Sequence, residues 1–193
     1  MASGLLKKAP QLSYSVSVTT RAPRPGEKEG VDYYYIQEKE FIKKRDNGEL
    51  LEYACVHGYW YGTLRSFIEE RINSGEDVLL DIDVQGGEQI KKSAPDAALV
   101  FIVPPSLNAL ETRLRGRQKD DEQTIQRRLK RAHEEMRQSS KYDYLILNDT
   151  VSQALDQLYS IYTAEKLRME KNGYKVSDIL NAGEKELNKN GKN

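Results

Sequence analysis

Apolar and polar positions follow two different periods along the chain. Three short apolar runs bounded by turn or helix-start residues predict buried parallel strands: Asp77 to Asp83 (DVLLDID), Ala97 to Val103 (AALVFIV) and Tyr144 to Leu147 (YLIL). A fourth, Tyr14 to Thr19 (YSVSVT), alternates and predicts a half-exposed strand. Helical spacing marks Leu64 to Asn73, Gly87 to Lys92, Leu107 to Arg115, Asp121 to Gln138 and a long terminal helix from Val151 to about Lys171. In that last segment Val151, Leu155, Leu158 and Tyr162 share one face, suited to packing on a sheet. Ser106, after Pro104-Pro105, is placed to cap the helix that begins at Leu107. Strand and helix alternate, the pattern of an α/β domain with a parallel sheet.

Two regions break the alternation. From Tyr33 to about Gly62, aromatic strand candidates (YYYI, LLEYACVHG, YWYG) surround a short polar helix, Glu38 to Asn47. This predicts an inserted small antiparallel subdomain over residues 33–63. Residues 115–131 are rich in arginine, with a charged turn at Gln118 to Glu122 that lacks an apolar anchor, the composition of a mobile lid. The polar tail 183–193 is expected to fray. No internal repeat is present, so residues 1–193 read as one domain.

The 30 Lys+Arg balance 30 Asp+Glu, and the pI is near 6.8. That balance argues against a dedicated nucleic-acid or anionic-membrane binder. The opening MASGLLKKAP has no apolar signal core, and the longest apolar runs are too short to cross a bilayer, so a cytoplasmic protein is expected. One cysteine, Cys55, and two histidines exclude an intrachain disulfide and a typical zinc site, and no metal ligands are assigned.

The candidate chemistry is local. Arg21, Arg24 and Glu27 lie in TTRAPRPGE directly after a strand, where Pro23 and Pro25 stiffen the loop. Two guanidinium forks three residues apart can converge on one phosphate, although R-x-x-R alone also fits a solvated basic turn. Glu52 stands in an apolar context (LLEYA), where a carboxylate needs a specific partner. Guanine is one such partner, because its ring N–H and exocyclic amine lie side by side; an exposed edge-strand position is the alternative. Tyr61 and Thr63 add a phenol and a hydroxyl nearby. Asp83 closes an apolar strand at the sheet edge where open α/β folds bind ligands, and there it could organise Mg²⁺ or cap a helix.

These segments together resemble the guanylate kinase family. Thr19 to Ile36 (TTRAPRPGEKEGVDYYYI) fits its signature, and HGYWYGT, LDIDVQG, the Pro-Pro-Ser turn, RLRGR and YDYLILND follow in the family's order and spacing, from Leu5 to about Met169. The resemblance implies a parallel-sheet nucleoside monophosphate kinase core with an inserted GMP-binding subdomain and a helical lid. It further implies that Arg21, Arg24, Tyr33 and Tyr61 hold the phosphate of GMP, that Ser17, Glu52 and Thr63 read guanine, and that Asp83 lies near the ribose and metal side. Arg117 and Arg128 match the lid arginines that close over the transferring phosphoryl group, with ATP and Mg²⁺ as co-substrate and cofactor. Gln118 replaces a glycine frequent in the family, and Trp60 a tyrosine.

The family's first apolar strand and its G-x-x-x-x-G-K-[ST] phosphate loop have no counterpart in these 193 residues. Two expectations follow. Turnover should be very weak, because the loop orients the donor phosphates, whereas GMP contacts all lie after residue 16. The parallel sheet should carry an open slot unless the flanking strands close up. A non-catalytic guanylate-kinase-like module that binds GMP or a phosphorylated peptide is the alternative expectation.

Overall fold

The computed structural model describes residues 1–116 and 121–190. Helix α1 (Ala2–Lys8) leads into β1 (Leu12–Tyr14), β2 (Val18–Thr19) and β3 (Tyr34–Tyr35). Then come α2 (Glu38–Asp46), β4 (Leu50–Val56), β5 (Tyr59–Leu64), α3 (Arg65–Asn73), β6 (Asp77–Leu79) and α4 (Val84–Ser93). The chain ends with β7 (Val100–Val103), α5 (Leu107–Gly116), α6 (Glu122–Met136), β8 (Tyr144–Leu147), α7 (Val151–Lys166) and α8 (Met169–Asn190).

The α/β core is an interrupted parallel sheet. Strand β1 pairs with β6, Leu12 opposite Asp77, and β7 pairs with β8, Val100 opposite Tyr144. Among the described residues the two pairs are separate two-stranded sheets. One helical layer nevertheless serves both. Leu5, Ala9, Leu12, Ile146, Ala154 and Leu158 form a single buried cluster, against which Leu79 of β6 and Val100 of β7 also pack. Among the described residues the flanking strands have therefore not closed up, and both edges of each pair lack a strand partner.

The smaller sheet runs β3-β2-β5-β4. It is mixed rather than wholly antiparallel, since β2 and β3 run parallel while β2–β5 and β4–β5 run antiparallel. The run Tyr14 to Thr19 is divided between the two sheets. Ser15 donates its N–H to Leu79 O at 3.1 Å on the core side, whereas Ser17 O accepts from Tyr34 N at 2.9 Å on the other. An alternating pattern cannot show which neighbour each half will find. The run Asp77 to Asp83 is strand only to Leu79, because Asp83 already caps α4. The run from Ala97 begins as strand at Val100, its start turned by Ala97 N–H to Ala94 O at 3.0 Å. The terminal helix breaks at Leu167 and resumes as α8, whose backbone stays helical to Asn190. Ser106 does cap α5, accepting from Ala109 N at 3.0 Å.

Side-chain alternation gives β5 two functions. Trp60 and Gly62 face Phe41, which is fully buried with Val18 and Leu50; the Trp60 ring stacks 5.7 Å from that of Phe41. Tyr61 and Thr63 therefore share the opposite face. A register shift between Leu50 and Glu52 lets Leu50 join the Phe41 side while Glu52 turns toward Thr63.

Candidate functional site

One end of the site is a loop held in shape by a turn. Arg24-Pro25-Gly26-Glu27 closes with Glu27 N–H to Arg24 O at 3.0 Å, and Gly26 has φ 89°, the left-handed value that the third residue of a type II turn requires. The turn brings the Glu27 carboxylate back over its own loop. It accepts from both ends of the Arg21 fork (2.9 and 3.0 Å), from the Arg24 backbone N–H at 2.8 Å and from the Tyr35 hydroxyl at 2.7 Å. Four donors hold this carboxyl down to about 2, the Arg21 bond being the largest cause. The Tyr35 phenol is pushed up to about 12, by burial first and by Glu27 second.

Arg21 is itself buried. Its Nε donates to Tyr61 Oη at 3.2 Å and Nη1 also donates to Ala22 O at 2.8 Å, while the Tyr33 ring lies 5.3 Å beneath its carbon. Tyr33 and Tyr61 meet edge to face at 5.7 Å. Burial raises the Tyr33 phenol, which keeps its hydroxyl a protonated donor at neutral pH. One Nη2 hydrogen of Arg21 and the Tyr61 O–H remain to donate, while the exposed Arg24 side chain supplies a second guanidinium. The cluster thus holds Arg21 in one orientation through Glu27 and leaves donors that can meet an anion.

The other end lies two residues along β5. Thr63 Oγ1 donates to Glu52 Oε1 at 2.6 Å, and both residues are buried. At about 3.4 Å per residue, Tyr61 and Thr63 stand about 7 Å apart on one face. Burial pushes the Glu52 carboxyl up to about 7, with Asp83 adding to the rise and the Thr63 bond opposing it. Ser17 lies between β1 and β2, partly buried.

Asp83 takes the capping role. Its Oδ1 accepts from Gln85 N (3.1 Å) and Gly86 N (3.0 Å), and its Oδ2 from Gln85 Nε2 (3.1 Å) and Arg131 Nη2 (2.9 Å). With both oxygens engaged, and no cluster of three or more potential metal-ligating side chains among the described residues, the side chains present do not build a cation cage. Arg128 lies partly buried on α6. The field of Arg131, Arg128 and Arg127 helps burial hold the His57 imidazole below its usual value, placing the β4–β5 turn near that helix. Arg117 lies outside the described residues.

Glu27 is only a neighbour in the linear motif, and its buttressing role requires the Pro-Gly turn. Tyr35 and Arg131 carry no sequence signal for their partners, which are eight and 48 residues away. Among the described residues no helix is long and apolar enough to cross a membrane.

A family model described as Guanylate kinase matches residues 1–165. The chain is 49% identical over 168 residues to a guanylate kinase of Aromatoleum aromaticum, covering 87% of this chain and 82% of that protein. It is 46% identical over 176 residues to a guanylate kinase of Legionella pneumophila (strain Lens), covering 91% and 84%. A crystal structure of guanylate kinase from Anaplasma phagocytophilum matches the fold with a TM-score of 0.73 at 36% identity, covering 86% of this chain and 82% of that one.

Proposed function

The chain belongs to the guanylate kinase family, and on that premise we propose that its site binds GMP as the acceptor in ATP + GMP → ADP + GDP. The observation that carries this reading is that Tyr61, bonded to Arg21, and Thr63, bonded to the buried Glu52 carboxylate of β4, stand two residues apart on one face of β5. The 5′-phosphate accepts from Arg21, Arg24, Tyr33 and Tyr61. The ionised Glu52 carboxylate accepts from the guanine ring N–H and amine, with Thr63 and Ser17 beside it. Adenine presents neither donor in that arrangement.

Bound so, the acceptor phosphate is fixed in position and its charge is partly neutralised, which are the main contributions a protein makes to phosphoryl transfer. Arg128 and Arg117 are proposed to close over the transferring group. ATP with Mg²⁺ supplies the phosphoryl group and its counter-charge. GMP-dependent ADP formation from ATP and Mg²⁺ tests the reading. Whatever ADP forms is expected to require GMP and to vanish in Arg21→Ala, whereas equal rates with AMP would contradict it.

The raised Glu52 carboxyl adds a pH signature. Guanine needs the ionised form, so protons compete with GMP below about pH 7. From pH 8 to pH 6 the affinity for GMP is expected to fall about tenfold beyond the change seen with ribose 5-phosphate, which corrects for titration of the phosphate. The excess should be absent in Glu52→Gln.

A further inference from the structure

We infer that Gly86 is the positioning residue for guanine recognition: the missing Cβ on the first turn of α4 is the space in which the Glu52 carboxylate sits. The inference rests on the reading of Glu52 above and adds the residue that determines where its carboxylate points.

Three contacts define the seat. Glu52 Oε1 is taken by the Thr63 hydroxyl at 2.6 Å. On its other side a Cβ built on Gly86 would overlap Glu52 Oε2 closer than real Cβ contacts come, with Cδ at 3.1 Å and Ile82 Cβ at 3.3 Å. Nor can α4 back away from β4. The Gln89 amide, one turn further along α4, donates to Tyr53 O at 2.7 Å and accepts from Tyr53 N at 3.2 Å, filling the open edge of β4 next to Glu52. Asp83 fixes the start of the same helix by accepting from the Gln85 and Gly86 N–H groups.

Gly86 has no positive φ and sits at the third position of a helix, where glycine costs about 0.5–1 kcal/mol relative to alanine. The backbone therefore does not call for glycine there, whereas the carboxylate does. Because the obstructed atoms are the end of a flexible side chain, a methyl group would turn the carboxylate off Thr63 and away from the base while leaving the helix in place.

A double-mutant cycle read by calorimetry tests this with GMP and ribose 5-phosphate. In the wild-type background Gly86→Ala is expected to lower the preference for GMP over ribose 5-phosphate at least tenfold. In the Glu52→Ala background, where the space is already open, the same substitution should change GMP affinity less than twofold. An unchanged GMP preference in Gly86→Ala, or an equal loss in both backgrounds, would overturn the inference. If Gly86→Ala alone does not fold, recovery of cooperative thermal unfolding in Gly86→Ala/Glu52→Ala supports the seat, and failure of both variants to fold contradicts it. Wild-type protein that binds no GMP refutes the acceptor reading itself, a different outcome from any of these.

Discussion

Replacing Arg21 with alanine is expected to weaken GMP binding on the order of 10²-fold. In the proposed site the guanidinium has one remaining N–H for the phosphate, and a hydrogen bond with a charged partner is worth roughly 1.5–3 kcal/mol. The same group carries the Tyr61 hydroxyl through Nε and faces the Tyr33 ring, so its loss also loosens two phenolic donors. It would leave Glu27 as an unopposed negative charge beside the incoming phosphate. Lysine in its place keeps the charge but cannot reproduce the fork that meets both Glu27 oxygens, so Arg21→Lys should fall between wild type and alanine. Titration with ribose 5-phosphate should show the same loss and guanosine almost none. A loss confined to guanosine would reassign Arg21 to the base.

The second large effect belongs to Glu52. Glu52→Gln is expected to reduce the preference for GMP over AMP by roughly 10²-fold, nearly all through GMP, because the new amide turns a donor toward one of the two guanine donors. Affinity for ribose 5-phosphate should hold. The variant keeps an acceptor for the Thr63 hydroxyl and removes the cost of ionising a buried carboxyl, so it should fold at least as well as wild type. A preference unchanged by the substitution would place the base elsewhere.

Much of this site is legible in the sequence because its signals are local. TTRAPRPGE gathers Arg21, Arg24 and the turn residues within nine positions, and Tyr61 and Thr63 alternate on one strand. The run Tyr144 to Leu147 is strand over its full length, since it is apolar and ends at a polar turn before a helix capped by Thr150. What stays hidden depends on contacts between distant segments. The division of Tyr14 to Thr19 is decided by Leu79 on one side and Tyr34 on the other. The cap that Asp83 makes is local, but the engagement of its second oxygen by Arg131 joins positions 48 residues apart. Gly86 reads as a glycine in a helix until Glu52 appears against it.

The interrupted core has its own physical meaning. Parallel strands are ordinarily paired on both sides, yet β6 and β7 each keep an edge without a strand partner among the described residues while sharing one helical layer. The proposed acceptor residues meet that break only through α4, which links β6 to β7 and holds Gly86 against Glu52. Arg21, Tyr61, Thr63 and Glu52 are carried by the smaller sheet and its loop, whose core of Val18, Phe41 and Leu50 is separate from the cluster under β6 and β7. Recognition of GMP should therefore depend on the core chiefly through the seating of α4 against β4.

The most direct measurement is a calorimetric titration of the folded 193-residue chain with GMP and with AMP, beside Arg21→Ala and at pH 8, where Glu52 is ionised. Saturable binding of GMP, with AMP weaker by at least about tenfold and both weakened in Arg21→Ala, is the expected result. No GMP binding by protein that is demonstrably folded, or equal affinity for the two nucleotides, would contradict a guanine-reading acceptor site on β5.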